Sequence, residues 1–497
     1  MPLIRKLGLI GGPLLFLIAS QFSAPDGLSW EGWLVLMIGV WMAIWWVTES
    51  VPIAVTALIP LVLLPLLDLE DLNSVANSYA SSATFLPLGG FIIGVAMQRW
   101  NLHTRIALHI VQKVGTEPRR VIAGFMAASA FLSMWITNTA TTVMMLPIAI
   151  PVAMLLMDES KGEVGAGKGF GIALMLGLAY SSTIGGMMTL VGTSTNVMFK
   201  GYFEQNYNLE IEFLDWMMMG VPIGLCLLVS TWWLLTRLML QSGIKSHSGV
   251  RAIIDSNLND LGIMSVGEKR TIYVFLLTVA LWIGHGAIEP LFPGIKFNDA
   301  SIAILGALLL FVIPADWSRG VFLLKWSDTR DVPWGILILL GGGLALAGAL
   351  NDFGVADWLG GKIAAFDKLP VWLIFLITVS MIVFLSELMS NVATLAAFLP
   401  VIVVTAIGFG QDPLLLAIPA AFAASCAFML PVATPPNAIV FGSNLLTISA
   451  MVKVGFFLNL IAILLLSGAS YFLVSFVFGV ELGVIPDWAT TAPSLPD

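Results

Sequence analysis

The sequence predicts an all-α polytopic membrane protein with about 11 transmembrane helices and two re-entrant helical hairpins, arranged in two inverted-topology repeats. Three observations lead to this fold class: the composition, an internal repeat, and a polar cluster inside each repeat. Of the 497 residues, 58% are hydrophobic and only 10% are charged, whereas a soluble domain carries roughly 25% charged residues. Because a spanning helix needs ~20 mostly apolar residues, the long apolar runs place the chain in a lipid bilayer.

The N-terminal segment, residues 1–30, is predicted to form a retained first helix. Arg5 and Lys6, the apolar stretch after them and the small residues near Ala24 also fit a signal peptide. A polytopic chain needs no separate export signal, so the helix is the favoured interpretation.

The cysteines and the net charge add little about function. Cys226 and Cys426 both lie in apolar segments and are interpreted as small hydrophobic residues. No metal motif and no disulfide framework is visible in the sequence. The net charge of −8 comes mostly from loops, and no nucleic-acid partner is expected.

An internal repeat organises the rest of the chain. "FLSMWITNTATTVMMLP" resembles "FLSELMSNVATLAAFLP", which places Asn138 and Asn391 253 positions apart. "GTSTN" at 192–196 aligns with "ATPPN" at 433–437 at a smaller offset, because the first half has an extra polar loop at 158–169. These anchors predict a first repeat at 31–240, a cytoplasmic linker at 241–267, a second repeat at 268–478 and a C-terminal tail at 479–497.

The two repeats are predicted to be inverted, because the loops before their polar clusters differ in charge. Loop 98–120 has five basic residues, whereas its counterpart 351–370 has three acidic residues and two lysines. By the positive-inside rule, these loops lie on opposite sides of the membrane. The N-terminus is then cytoplasmic and the C-terminus outside. Only four of the 22 basic residues fall on the outer side, namely Lys200, Lys296, Lys362 and Lys368.

Each repeat has a polar cluster in the middle of an apolar segment. The clusters "TNTATT" and "SNVAT" lie near the centres of 121–157 and 371–408. Arms of about 15–17 residues are short for a full span at ~1.5 Å per residue. A chain break at each cluster therefore predicts a re-entrant hairpin. Glycines and prolines predict two broken helices as well, at 170–199 and 413–442.

A purely structural role for these hydroxyl groups is the alternative. Ser and Thr in membrane helices often bond back to the i−4 carbonyl or join neighbouring helices, and for any single Thr here that reading is favoured. Two clusters at matched positions, each beside a matched break, favour a binding centre instead. Trp135, Met144 and Met145 are interpreted as packing residues.

The predicted centre is neutral and rich in oxygen atoms. Segments 121–157, 170–199, 371–411 and 413–452 contain no Lys, Arg or His, and Glu387 is their only acid. Carbonyl and hydroxyl oxygens suit a hard cation such as Na⁺, and the helix N-termini at a break suit an anion. Bound Na⁺ would supply the positive charge that a buried dianion requires. A neutral substrate is also compatible with these residues.

The motifs "SMWITNT", "MSNVAT" and "ATPPN", together with "WWVTESVPIAVTALIPLVLLPLL" at 45–67, resemble signature elements of the divalent anion/sodium symporter family. The resemblance covers nearly the whole chain. It implies Na⁺-coupled symport of C4 dicarboxylates such as succinate, malate or fumarate, with Na⁺ as the co-transported ion. It also implies elevator-type movement of a transport part against a scaffold, and a homodimer in a bacterial inner membrane.

Carried over by position, the resemblance implies two sodium sites beside one substrate site. The first sodium site would use Ser133, Thr137, Asn138 and Gly192. The second would use Ser386, Met389, Asn391 and Ala433. The substrate site would use Asn138, Thr139, Thr193, Ser390, Asn391, Val392, Thr434 and Pro435.

Three features depart from the family pattern or call for separate interpretation. Val392 removes a hydroxyl from the expected carboxylate ligands and leaves the exact substrate open. "GTSTN" lacks the proline pair that is usual in the family. Glu387 lies where an acid is common in the family, and it is interpreted as a buried, paired or protonated structural residue rather than a coupling group.

Other functions fit less well. An exchanger of the same fold that works without Na⁺ would be expected to have a fixed cation at the sodium positions. Citrate and sulfate stay open as substrates of a Na⁺-coupled transporter. An intramembrane enzyme is disfavoured, because the sequence has no H-E-x-x-H and no G-x-S-x-G with a partner His. Occluding hairpins in inverted repeats argue against a channel.

Overall fold

Helices make up almost all of the regular structure in the computed structural model, which describes residues 3–159, 166–239, 248–291, 294, 296–363 and 370–490. Parts of several predicted segments lie outside the described residues: 1–2 of the N-terminal helix, 160–165 of the extra loop, 241–247 of the linker, 364–369 of loop 351–370 with Lys368, and 491–497 of the tail.

The helices up to the linker are α1 (Leu3–Ala19), α2 (Trp30–Thr48), α3 (Ile53–Thr56), α4 (Ile59–Leu66), α5 (Leu72–Tyr79), α6 (Ser82–Arg99), α7 (Leu102–Val114), α8 (Pro118–Ser133), α9 (Asn138–Glu159), α10 (Ala166–Met187), α11 (Ser194–Tyr207), α12 (Phe213–Leu238) and α13 (Ser248–Asp260). The later helices are α14 (Val266–Ile288), α15 (Asp299–Val312), α16 (Trp334–Asp352), α17 (Val355–Ile363), α18 (Val371–Ser386), α19 (Asn391–Gly408), α20 (Leu414–Ala424), α21 (Pro435–Phe441), α22 (Ile448–Ala469), α23 (Ser475–Phe478) and α24 (Asp487–Thr490). A short antiparallel pair, β1 (Pro314–Asp316) and β2 (Val321–Phe322), lies between α15 and α16.

Nine helical stretches in the described part of the chain are long and apolar enough to cross a membrane. They are Trp30–Thr48, Leu72–Arg99, Asn138–Met157, Gly167–Met187, Phe213–Leu238, Val266–Ile288, Trp334–Asp352, Asn391–Gly408 and Ile448–Gly468. Four shorter apolar helices join them: Ile53–Leu66, Asp299–Val312, Val371–Ser386 and Leu414–Ala424. The all-helical polytopic class is confirmed, while the count of about 11 crossings stays a prediction, since short helices of this kind can end inside a bilayer.

The two halves share one order of elements. Helices α6 to α12 follow the same order as helices α16 to α22. In each run a long helix and a shorter one are followed by a pair joined by a short turn, then by two helices separated by an interruption, and then by a long helix. A four-residue turn joins α8 to α9, and a turn of the same length joins α18 to α19. This order is what a repeat requires; the inverted orientation and the membrane depth of the paired helices stay predictions.

Small residues bring the centre of the molecule together. Helix α10 is buried along its whole apolar length and packs against α8. At Gly185 the helices touch directly, because a Cβ atom there would overlap the backbone of Ala130. Small residues at such crossings let helix backbones approach closely within a membrane. This contact fixes the end of α10 beside the turn between α8 and α9.

A buried carboxyl group between α19 and α20 gives a pH-dependent prediction. Asp412 is 4% exposed, and its Oδ1 accepts a hydrogen bond of 2.8 Å from the backbone N–H of Leu414. Burial raises the pKa of the Asp412 carboxyl from 3.8 to about 6. A raised folded-state pKa means that the folded protein loses stability as pH rises through this window.

We therefore expect Asp412→Asn, which keeps an acceptor for Leu414, to raise the melting temperature in detergent at neutral pH. The difference from the wild type should shrink as pH falls from about 6 towards about 4. Asp26→Asn is the matched control at an exposed position, and it should leave the melting temperature unchanged at every pH. The same stabilisation at both ends of the pH range would contradict this explanation.

Candidate functional site

Both hairpin turns and both helix interruptions open onto one cavity of about 850 Å³. All eight residues predicted for the substrate line it: Asn138, Thr139, Thr193, Ser390, Asn391, Val392, Thr434 and Pro435. Of the predicted sodium ligands, Thr137, Gly192 and Ala433 line it as well. The other three, Ser133, Ser386 and Met389, are buried and do not line the cavity. The fold thus collects positions that lie up to about 300 residues apart, in a cavity of the size typical for small ligands.

Three helices of eight or more residues begin at this cavity. The first residues of α9, α11 and α19 are Asn138, Ser194 and Asn391, and each of them lines it. A helix N-terminus carries unsatisfied N–H groups and a partial positive charge. The cavity is therefore favourable for an anion although its centre has no cationic side chain.

The first hairpin turn holds its oxygen atoms in a fixed arrangement. Ser133, the last residue of α8, donates a 2.6 Å hydrogen bond from Oγ to Oδ1 of Asn138. The hydroxyl of Thr142 donates to the carbonyl of Asn138 at 2.8 Å. The bond from Ser133 holds the Asn138 amide, whose Oδ1 lies beside Gly186 at the end of α10.

Two glycines allow backbone oxygens to converge on this turn. A Cβ atom at Gly186 would overlap the Asn138 side chain. One at Gly192 would overlap the Gly186 carbonyl and lie 2.9 Å from the carbonyl oxygen of Ser133. Carbonyl and amide oxygens are the kind of ligand that suits a hard cation.

Gly186 gives a test of this close packing. We expect Gly186→Ala to lower the predicted transport activity roughly 10²-fold, because displacing a ligand by about 1 Å has effects of that size. Gly348→Ala on α16 is the control, since a Cβ there meets nothing closer than 3.8 Å. Initial uptake rates and melting temperatures of both variants should be measured together. Wild-type uptake by Gly186→Ala would contradict the proposed crowding of Asn138.

The second hairpin turn has the same residue types without the hydrogen bond. Ser386 Oγ and Asn391 Oδ1 are both buried and have no hydrogen-bond partner among the described residues. Burying polar atoms without partners costs free energy. The pair therefore offers two unpartnered oxygen atoms at the place that corresponds to Ser133 and Asn138 in the first half.

Glu387 stabilises the interruption between α20 and α21. It is 3% exposed, and its Oε1 accepts hydrogen bonds of 2.7 Å and 2.8 Å from the N–H groups of Phe428 and Met429. Its Oε2 accepts a bond of 3.1 Å from the N–H of Leu430, and the Asn459 amide donates 2.8 Å to Oε1. Glu387 is buried and hydrogen-bonded as predicted, while its structural role stays a prediction.

Two further asparagines stabilise the interruptions, and neither is among the residues predicted for the site. The side-chain amide of Asn196 donates to the carbonyls of Gly186, Met187 and Thr189 at 3.2, 3.2 and 2.7 Å. That of Asn437 donates to the carbonyls of Ala427 and Leu430, both at 3.1 Å. Asn196 and Asn437 are the last residues of the aligned motifs "GTSTN" and "ATPPN". This matched position in the sequence could have indicated that they share a role. Both are fully buried.

One pair of charged residues also lines the cavity and was missed. Arg5 and Glu49 are the only charged side chains among its described lining residues, and they form an ion pair of 2.6 Å. The expected lack of cations concerned the four central segments, whereas Arg5 comes from α1. No spacing in the sequence links this helix to the hairpin turns.

Comparison with known proteins gives a consistent picture. A family model described as the sodium:sulfate symporter transmembrane region matches residues 10–478. Sodium-dependent dicarboxylate transporters SdcS from Staphylococcus saprophyticus and Staphylococcus aureus are both 40% identical over 96% of this chain and 93% of their own.

Two solved structures share the fold. MtrF of Neisseria gonorrhoeae aligns with a TM-score of 0.59 at 14% identity, over 100% of this chain and 98% of that one. The YdaH transporter of Alcanivorax borkumensis aligns with a TM-score of 0.56 at 11% identity, over 96% and 99%. At such identities the likeness concerns the fold alone.

Proposed function

The chain belongs to the sodium:sulfate symporter family, as the resemblance to divalent anion/sodium symporters indicated, and on this premise we propose that it couples C4-dicarboxylate transport to sodium ions. It is a multi-pass membrane transporter and not an enzyme. The names of its staphylococcal relatives support sodium as the co-transported ion and a dicarboxylate as cargo. Succinate, malate and fumarate are the proposed substrates.

The convergence of the α9, α11 and α19 N-termini on one cavity carries this proposal. Helix N-termini favour anions but supply only about half a charge each. A dicarboxylate dianion needs further positive charge in a site that is partly shielded from water. Sodium ions bound to the oxygen clusters on either side supply it.

The proposed ligand sets follow the two halves. Sodium site 1 comprises Ser133, Thr137, Asn138 and Gly192, and sodium site 2 comprises Ser386, Met389, Asn391 and Ala433. The orphaned oxygens of Ser386 and Asn391 support the second set. Between the two ions, the side-chain amides of Asn138 and Asn391 bind the substrate carboxylates, assisted by Thr139 and Ser390. Thr193, Val392, Thr434 and Pro435 complete the walls.

Coupling follows from this arrangement. Each Asn contacts both a sodium ion and the substrate, so binding of one stabilises the site for the other. Without sodium, a dianion at the centre of the cavity, away from Arg5, would face amides and helix dipoles but no cation, and its affinity would fall.

The cavity extends to Arg5 and Glu49, whose side chains are 42% and 58% exposed, and we take this end as its mouth. With the proposed cytoplasmic N-terminus and outer C-terminus, the mouth faces the cytoplasmic side of a bacterial inner membrane, and we propose that this is an inward-facing state. Elevator-type movement of the part that carries the hairpins then exposes the site to the other side. We propose a homodimer as the functional unit.

Uptake of labelled succinate into proteoliposomes tests this function. An inward Na⁺ gradient should drive uptake, and an equal K⁺ gradient should not. Equal uptake under both gradients would contradict symport, and uptake that depends on preloaded dicarboxylate would identify an exchanger of the same fold. Competition by citrate and sulfate then ranks the substrates, which addresses the missing hydroxyl at Val392.

A further inference from the structure

The ion pair at the mouth of the cavity has no role in the proposed sodium or substrate sites. Arg5 Nη2 lies 2.6 Å from Glu49 Oε2, and the two side chains are 42% and 58% exposed. Ion pairs this exposed contribute at most about 1 kcal/mol. The two side chains can therefore separate and exchange partners at little cost.

The backbone under this pair is held firmly. The Ser50 hydroxyl donates to the carbonyl of Arg5 at 2.9 Å, and the Thr48 and Ser50 hydroxyls are hydrogen-bonded at 2.6 Å. Gly8 packs against Thr48 so closely that a Cβ atom would overlap it. The start of α1 is thus fixed at the end of α2, and mobility is left to the Arg5 and Glu49 side chains.

Glu49 has a backbone conformation that is unfavourable for glutamate. It caps α2 in the left-handed conformation, at φ 45° and ψ 41°. Helices commonly end there with Gly or Asn, because other residues are strained in this conformation. A glutamate at such a position indicates that its side chain, and not its backbone preference, is what the site uses.

From this geometry we propose that Arg5 is an anion contact at the mouth of the cavity, which Glu49 occupies while no substrate is present. The planar guanidinium binds a carboxylate through two parallel hydrogen bonds. A dicarboxylate that passes the mouth offers the same group and replaces Glu49. Glu49 in turn releases the substrate from Arg5, so that the anion is not retained there. This inference depends on the proposed dicarboxylate transport.

Inside-out vesicles, which expose the cytoplasmic face, test the role of Arg5 at saturating Na⁺. Arg5→Gln should raise the KM for labelled succinate roughly tenfold, the effect of losing one charge-assisted contact. Glu49→Gln should lower the KM, because Arg5 is then free. Lys6→Gln removes the same charge one residue away at an exposed position outside the cavity lining, and it should keep the wild-type KM.

The double variant separates direct contact from simple charge compensation. If Arg5 binds the substrate, Arg5→Gln with Glu49→Gln should have a KM as high as Arg5→Gln alone. A return to the wild-type KM would mean that Arg5 only neutralises Glu49, and it would overturn the proposal, as would an unchanged KM in Arg5→Gln. Arg5→Lys keeps the charge but cannot form two parallel hydrogen bonds to a carboxylate. Its KM should lie between those of the wild type and Arg5→Gln.

Two controls keep the test decisive. Size-exclusion chromatography in detergent shows whether each variant is folded. If Arg5→Gln does not fold, the KM of Glu49→Gln decides. An unchanged or higher KM in Glu49→Gln would contradict the proposal. Wild-type vesicles without sodium-dependent succinate uptake would instead refute the proposed function. Wild-type transport with no effect of Arg5→Gln refutes the mouth contact alone.

Discussion

Sodium-dependent succinate uptake is expected to be lost in Asn391→Ala, and likewise in Asn138→Ala, while both variants still fold. Each amide contributes one proposed sodium ligand and one proposed carboxylate contact. Hydrogen bonds to charged groups are worth about 1.5–3 kcal/mol each, so losing two predicts a fall in kcat/KM of roughly 10²-fold or more. Radiolabelled uptake into proteoliposomes measures it.

Asn257→Ala is the matched control for both variants. Asn257 lies on α13, outside the cavity lining, and its side-chain amide donates to the Ile253 carbonyl at 2.8 Å. Its loss should leave uptake unchanged. Full activity of Asn391→Ala would remove the assignment of the second sodium site, and full activity of Asn138→Ala would remove that of the first.

Glu387→Ala is expected to prevent accumulation of stable protein. Its carboxylate accepts hydrogen bonds from three backbone N–H groups and from Asn459. Without the carboxylate these buried donors lose their acceptor, and each unsatisfied group costs about 1–3 kcal/mol. The expected loss of several kcal/mol is comparable to a total stability of about 5–15 kcal/mol. Melting temperature and the monodisperse yield in detergent measure it.

Two variants define what Glu387 contributes. Glu387→Gln keeps the shape and one acceptor oxygen, so it should be milder than Glu387→Ala. Glu117→Ala removes a carboxylate that is 55% exposed at the start of α8, and it should be close to wild type. A wild-type melting temperature for Glu387→Ala would contradict a structural role.

The polar centre could be predicted from the sequence because its residues are unusual for their surroundings. Asn138 and Asn391 interrupt apolar segments at matched positions, and matched positions in a repeat come together around a common axis. The cavity lining contains all of the predicted substrate residues, as such a repeat predicts. The number of crossings was harder to predict, since hydropathy cannot tell a short helix such as α18 from a complete span.

Other features of the site depend on contacts that leave no pattern in the sequence. Arg5 and Glu49 reach the cavity because α1 packs on α2. In the sequence, their charges give information only about the orientation of the chain in the membrane. The part played by Asn196 and Asn437 depends on the path of the backbone between two helix ends. Both residues were visible in the aligned motifs, but their hydrogen bonds to carbonyl groups require the three-dimensional break.

Equilibrium binding of succinate to the purified transporter in detergent tests the central claim, that bound sodium supplies the positive charge for the dianion. Calorimetry should give tight succinate binding in NaCl and no measurable binding in choline chloride. Because coupling between two ligands is reciprocal, saturating succinate should also lower the Kd for sodium by the factor by which sodium lowers the Kd for succinate. Equal succinate affinity in both salts would contradict the claim.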